Sequence, residues 1–274
     1  MLRQTHFTKA DEYYKNECFK RCFSRDEELN LLEPLVQIEE VLTELKQGYS
    51  GVFRCLGADQ QYYYVKGHNV GRDDQAREWI CGKLAQAFGL PIADFCLAEI
   101  DECLHQYLPD SMKKIGSGVC FASREVKHAE WLQPNLIAHK VSAELQSDLL
   151  VFDWWVKNGD RNYGNPNLLW VSNEEKLAVI DHNLAFDSEV TEESFFEHHI
   201  FSEAKHRIFT DLAHIAEYRD KIAQAISEFQ PAVDVIKEVW PWRDLEETRP
   251  FELDSAALLA ILEEYKNNDF WSMK

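Results

Sequence analysis

Three oxygen-bearing side chains, Asp160, Asn165 and Asp181, are arranged around two short apolar runs. The runs are Leu168-Leu169-Trp170-Val171 and Leu177-Ala178-Val179-Ile180, separated by the polar Ser172-Asn173-Glu174-Glu175-Lys176, which is the pattern of a β-hairpin. Asp160 and Asn165 precede the first strand in a Gly/Asn/Pro-rich loop, and Asp181 follows the second, so strand pairing draws all three together. Converging oxygens suit Mg2+, a hard cation that takes one or two carboxylates along with substrate phosphates. The chemistry served by such a set is magnesium-dependent phosphoryl transfer.

Asp and Asn are common turn residues, so an ordinary hairpin with a polar entry loop accounts for any one of them. Their order is more particular. In the protein kinase catalytic loop an Asp precedes a metal-binding Asn by five positions, and a further Asp follows. Asp160, Asn165 and Asp181 reproduce that order. Upstream, Tyr62-Tyr63-Tyr64-Val65-Lys66-Gly67 reads as a strand ending in a lysine. Residues 73–88 then place Ala76, Trp79, Ile80, Leu84, Ala87 and Phe88 at helical spacing, and Gly89-Leu90-Pro91 stops the helix. A strand lysine followed by a helix glutamate is the kinase small-lobe arrangement, and Lys66 and Glu78 are the candidates.

With Asn158 two before Asp160, Arg161 after it, Asn167 beyond Asn165, and Ile180, His182, Ala185 and Phe186 around Asp181, the segment resembles the HipA-like kinase family. More distantly it is similar to the phosphatidylinositol 3- and 4-kinases with their Asp-Arg-x-x-x-Asn loop. The resemblance implies an α+β, two-lobed protein-kinase-like fold, with a small β-rich N-lobe carrying one helix and a larger, mostly helical C-lobe. It implies ATP and Mg2+, with Lys66 on the nucleotide phosphates, Glu78 orienting Lys66, Asn165 and Asp181 on the metal, and Asp160 accepting or orienting the proton of the acceptor hydroxyl. Protein Ser/Thr is the acceptor it suggests, the protein itself included.

The same resemblance places a regulatory serine at Ser50, in a loop where Gly48 and Gly51 flank a turn and bring backbone amides toward phosphate. Asn158 matches the family's Asn-x-Asp and braces the loop through its amide. Arg161 is either a stabiliser of the transferring phosphate or an ion-pair partner, and His182 reads as a brace. Asn167 is a second amide near the metal or a strand cap. Many relatives carry His two positions after the catalytic Asp, where this chain has Asn162.

The elements that must hold these residues divide the chain into an extension, 1–33, with a short helix over 11–23; an N-lobe, 34–122; and a C-lobe, 123–274. Strands are expected at 41–45, 52–56, 97–100 and 118–121. The last runs into Ser123 and Arg124, where a hinge would receive the adenine through backbone hydrogen bonds, unless 101–114 forms the connector instead. Apolar stripes predict helices over 138–158, 211–229 and 255–265. Trp154 and Trp155 read as packing residues, and His198-His199 as a surface helix turn.

With 48 acidic against 29 basic residues, the formal net charge is −19, which disfavours nonspecific binding of nucleic acid. Seven cysteines without paired spacing read as reduced thiols in a cytosol. Cys18, Cys22 and His6 supply too few ligands for a closed zinc site. No apolar run approaches the roughly 20 residues of a membrane span, and the first residues lack a signal-peptide core, so a cytoplasmic protein is expected. Two other classes fit the same residues. One is a small-molecule or lipid phosphotransferase, against which Asn158 stands where aminoglycoside-type enzymes need His. The other is a pseudokinase or toxin-antitoxin interaction module that binds nucleotide without turnover, against which the retained Lys66, Asp160, Asn165 and Asp181 argue. The acceptor and the oligomeric state are not written in the sequence.

Overall fold

A computed structural model of the chain describes residues 35–45 and 51–272. The expected helix at 11–23, the Cys18/Cys22/His6 group and the turn residues Gly48 and Ser50 lie outside the described residues.

Alternating burial builds the first layer. Strands β1 (Leu35–Leu45), β2 (Val52–Gly57), β3 (Tyr62–Lys66), β4 (Phe95–Ile100) and β5 (Gly118–Arg124) are joined in the order β1-β2-β3-β5-β4. The period-two pattern turns Phe53, Cys55, Tyr63, Val65, Ala98, Cys120 and Ala122 into one core. Where the sequence predicted strands alone, the structure closes them into a barrel. The closing contact is parallel, with Leu35 opposite Leu97 and Val36 opposite Ala98. Closure removes the free sheet edges that would otherwise need covering. Lys66, the last residue of β3, alternates away from Val65 and lies buried outside that core.

Helix α1 (Arg72–Phe88) lies between β3 and β4 and is stopped by Gly89, whose φ of 89° lets its N–H reach the Ala85 and Gln86 carbonyls. Its Ala76, Trp79, Ile80, Leu84 and Phe88 belong to the second and larger core, not to the barrel interior. Trp79 meets Phe95 of β4 edge-on at 5.4 Å. The helix is therefore held by both layers, and Glu78 with it.

The segment 101–114, the alternative connector, is internal to this first part. It holds α2 (Glu102–Tyr107) and returns the chain from β4 to its antiparallel neighbour β5. After β5 come β6 (Ala129–Trp131), α3 (Pro134–Lys140) and α4 (Ala143–Trp155). The single helix expected over 138–158 is thus two. The break is local: Val141 is extended, and Ser142 caps α4 by accepting the Leu145 N–H at 3.2 Å.

The hairpin is present as β7 (Leu168–Val171) and β8 (Lys176–Val179), widened to three strands by β6. Helices α5 (Glu192–His198), α6 (Lys205–Ile208), α7 (Leu212–Ala225), α8 (Phe229–Val239) and α9 (Ser255–Glu263) complete the chain. Trp155 is fully buried and donates to the Leu262 carbonyl at 2.9 Å, while Trp154 donates to that of Phe270 at 3.2 Å. Both are packing residues. The molecule is a mixed α/β protein with a β-rich first part and a helical second part. Among the described residues no helix is long and apolar enough to cross a membrane.

Candidate active site

Lys66 is the junction of the two parts. From the end of β3 its ammonium contacts Glu78 of α1 and donates to Asp181 Oδ1 at 2.8 Å, just beyond β8. Burial works against the charge of Lys66, but the two carboxylates outweigh it and raise its pKa above the ordinary value. Burial likewise opposes the charge of Asp181, and the Lys66 ammonium holds that carboxyl below its usual range. Glu78 is raised, because burial exceeds the pull of Lys66. Its second oxygen accepts the His182 N–H at 3.0 Å, tying α1 to the residue after Asp181. Asp181 has a φ of 62°, a left-handed conformation uncommon outside glycine and often found where a site holds a residue in place.

The loop between α4 and β7 gathers amides on one carboxylate. Asn165 Nδ2 donates to Asp160 Oδ2 at 2.7 Å and Asn167 Nδ2 donates to the same oxygen at 3.1 Å. Burial raises the pKa of Asp160, these two bonds oppose it, and the nearby Asp181 charge adds to the rise. Asn162 folds the loop tip: its side-chain oxygen accepts from Gly164 N–H at 2.8 Å and Asn165 N–H at 3.1 Å. The sequence left Asn167 between two roles, and the structure puts its amide on Asp160.

Behind the loop lies a group that the sequence reading missed. Asp153 of α4 is fully buried, and its carboxylate accepts from Arg161 Nε at 2.6 Å, Asn158 Nδ2 at 2.9 Å and His199 Nε2 at 3.0 Å. Burial alone would raise Asp153; Arg161 and His199 hold it well below the usual carboxylate range. Arg161 is an ion-pair partner with no exposed surface, not a free phosphate ligand. His199, expected on a surface turn with His198, is 2% exposed, whereas its neighbour is open to solvent. One signal was available: an aspartate inside the apolar run Leu149 to Val156 needs a buried partner. Asn158 braces the loop as expected, since its Oδ1 accepts the Asp160 N–H at 3.3 Å. His182 is buried beside Arg161, and burial followed by that positive neighbour lowers its pKa to about 4, so it is a neutral brace.

Gly51 has a φ of 50°, and its carbonyl accepts from the Asn69 amide at 2.7 Å, three residues beyond Lys66. Ser123 pairs with Tyr64 and Phe95 inside β5, and the Arg124 N–H is taken by the Asp94 carbonyl at 2.7 Å. The chain leaves the barrel at Glu125, whose carboxylate accepts from Arg54 Nε at 2.8 Å and from the Tyr64 hydroxyl at 3.1 Å.

The described donors suit a Mg2+ whose remaining ligands come from substrate phosphates. Asn165 and Asp181 offer oxygens; because the Asn165 nitrogen is engaged with Asp160, its amide oxygen is the atom left for a cation. Among the described residues there is no group of three or more His, Cys, Asp or Glu that could hold a metal by itself. A cation held by one carboxylate and one amide needs further oxygens, such as those of phosphates. Beside Asp160 a cavity of about 720 Å³ opens, walled by Tyr163, Asp187, Glu189, Glu197 and His198 among others.

The model of the HipA-like kinase family matches residues 38–274. No curated protein matches the sequence. Among solved structures, the chain is similar to that of the Helicobacter pylori proinflammatory kinase CtkA, with a TM-score of 0.46 and 12% identity over 87% of this chain and 97% of that one. It is also similar to the Golgi casein kinase, with a TM-score of 0.45 and 11% identity over 87% and 71%. The Golgi casein kinase with Mn/ADP bound gives a TM-score of 0.44 and 10% identity over 85% and 70%.

Proposed function

The chain belongs to the HipA-like kinase family, and we propose that it is an ATP- and Mg2+-dependent kinase that phosphorylates serine or threonine hydroxyls of proteins. The observation that carries this reading is Lys66, buried between Glu78 and Asp181 in the same site as Asp160 with its two amides.

In this reading the nucleotide phosphates take the place of Asp181 on part of the Lys66 ammonium, which Glu78 keeps aimed. Asn165 and Asp181 would hold Mg2+, which would supply positive charge against the phosphates. Asn165 and Asn167 both occupy Oδ2 of Asp160, so Oδ1 is the oxygen that receives the acceptor's proton. The hydroxyl oxygen bonds to the γ-phosphorus, the bond to the bridging oxygen breaks, and ADP leaves with that electron pair. The raised pKa of Asp160 makes it a better proton acceptor than an ordinary aspartate.

The cavity beside Asp160 receives the acceptor. Its volume of about 720 Å³ accommodates a peptide segment and not only one hydroxyl. Asp187, Glu189 and Glu197 line it and, among the described residues, no Lys or Arg does, which favours acceptors with positive charge near the hydroxyl. Ser50 is a candidate internal acceptor, and a phosphopeptide map after incubation with ATP tests it. A reducing, cytosolic setting completes the reading, resting on the buried thiols of Cys55, Cys81, Cys96 and Cys120.

Thermal stabilisation by nucleotide tests the site first. The wild-type protein is expected to be stabilised by ADP with Mg2+, and Asp181→Ala to lose most of that shift. A wild type indifferent to nucleotide rejects the kinase reading. Binding without transfer identifies a pseudokinase, and transfer to small hydroxyl compounds but not to protein identifies a small-molecule or lipid phosphotransferase.

A further inference from the structure

Asp153 and His199 touch neither the nucleotide side of Lys66 nor the acceptor cavity, and no step described above uses them. We infer that both are positioning residues for phosphoryl transfer, acting through Arg161 to set Asp160 against the wall that receives the acceptor. The inference rests on the kinase reading.

The contacts run to the two ends of the catalytic loop. Arg161 adjoins Asp160 at the loop's start, and its Nη1 donates to the carbonyls of Pro166 and Asn167, both at 3.1 Å, at the loop's end. Its Nε and Nη2 donate to the two oxygens of Asp153, at 2.6 and 3.4 Å. The guanidinium thus fastens both loop ends to α4, and Asp153 fixes its orientation by a two-pronged contact that a single-point cation could not reproduce.

His199 adds the acceptor wall. The Phe201 N–H donates to its Nδ1 at 3.1 Å, so the ring proton is on Nε2, where it is donated to Asp153 Oδ2 at 3.0 Å. His199 follows α5 directly, and α5 lines the cavity through Ser194, Phe195, Glu197 and His198. The backbone fastens the same segment: Ile200 N–H donates to the Arg161 carbonyl at 3.1 Å, and His199 bridges Asn162. Asp153 therefore receives, on one buried carboxylate, the loop that carries Asp160 and the segment that carries the acceptor wall. A fully apolar core would pack as well, but it would not fix the angle between the two.

Two substitutions separate positioning from folding. His199→Gln keeps an N–H donor near the Nε2 position, whereas His199→Phe keeps the ring that stacks on Phe195 but removes the donor. The assay is transfer from radiolabelled ATP with Mg2+ to a mixture of serine peptides with flanking lysines, using the full chain. His199→Phe is expected to lower kcat on the order of 10- to 100-fold, because small displacements of a reacting group carry losses of that size. Its KM for ATP and its stabilisation by ADP with Mg2+ should stay at the wild-type level, and His199→Gln should recover most of kcat. Wild-type kcat in His199→Phe overturns the inference. So does a joint loss of kcat and nucleotide affinity that His199→Gln does not relieve, since that is what a purely structural role produces. A wild type that transfers no phosphate removes the kinase reading and this inference with it.

Discussion

Lys66 keeps two carboxylates at close quarters, so its replacement has two consequences. Lys66→Met retains the stem but removes the charge, leaving Glu78 and Asp181 to repel; Glu78, already raised in pKa, then takes up a proton. Phosphoryl transfer is expected to fall on the order of 10²- to 10³-fold, as when a phosphate- or oxyanion-stabilising group is lost, and initial rates measure it. His182 gives a pH dependence of stability. Its folded-state pKa is about 4, below the ordinary histidine value, so between that ordinary value and pH 4 the unfolded chain binds a proton that the folded one refuses. Stability is therefore complete above the unfolded pKa and declines as pH falls. The decline is about 2 kcal/mol from this residue between pH 7 and pH 5. Denaturant titrations at the two pH values test this, and His182→Gln should flatten the difference. That Lys66, Asp160, Asn165 and Asp181 come together could be expected from their order and from the hairpin between Asn165 and Asp181, and the structure places Lys66 against Asp181 and Asn165 against Asp160. The partnership of Asp153 with His199 could not: it spans 46 positions and is made by a fold that brings α4 under the end of α5.

Helix α1 is the element on which the site turns, because it offers Glu78 to Lys66 while its apolar face lies in the larger core. Its approach depends on Gly67, where a Cβ would come within 2.2 Å of the Ile115 carbonyl oxygen. Gly67→Ala should therefore displace the end of β3 and cost about 1–3 kcal/mol, the range of overpacking in a tight interior. Chemical denaturation measures it, and a matching loss of nucleotide-induced stabilisation would trace the shift to Lys66. Ser142→Ala should cost about 1 kcal/mol by removing the cap of α4. Strands β2 to β5, the hairpin β7–β8 and α1 were readable from their periods and glycine stops, as with Gly89, whereas the first half of β1 and the three-residue β6 were not. The break between α3 and α4 was not, since an apolar stripe continues across Val141 and Ser142 without changing phase. Barrel closure was equally hidden, because it depends on β1 meeting β4 across some 60 residues.

For the molecule as a whole, charge decides what can approach. In the proposed kinase, where this cavity takes the acceptor, a formal net charge of −19 and walls carrying Asp187, Glu189 and Glu197 would repel acidic acceptors and attract basic ones. A serine peptide flanked by lysines should be phosphorylated faster than its glutamate-flanked counterpart, and added salt should narrow the difference. Glu189→Lys with Glu197→Lys should reduce or reverse the preference; an unchanged ratio would place the acceptor elsewhere. The most direct test of the site as a whole is transfer of label from γ-labelled ATP, with and without Mg2+, by the wild type and by Asp160→Ala. Labelled protein product from the wild type only when Mg2+ is present, and a loss of at least about 100-fold in Asp160→Ala, is the expected result. A wild type that transfers no label, or an Asp160→Ala variant that transfers it at the wild-type rate, contradicts the assignment.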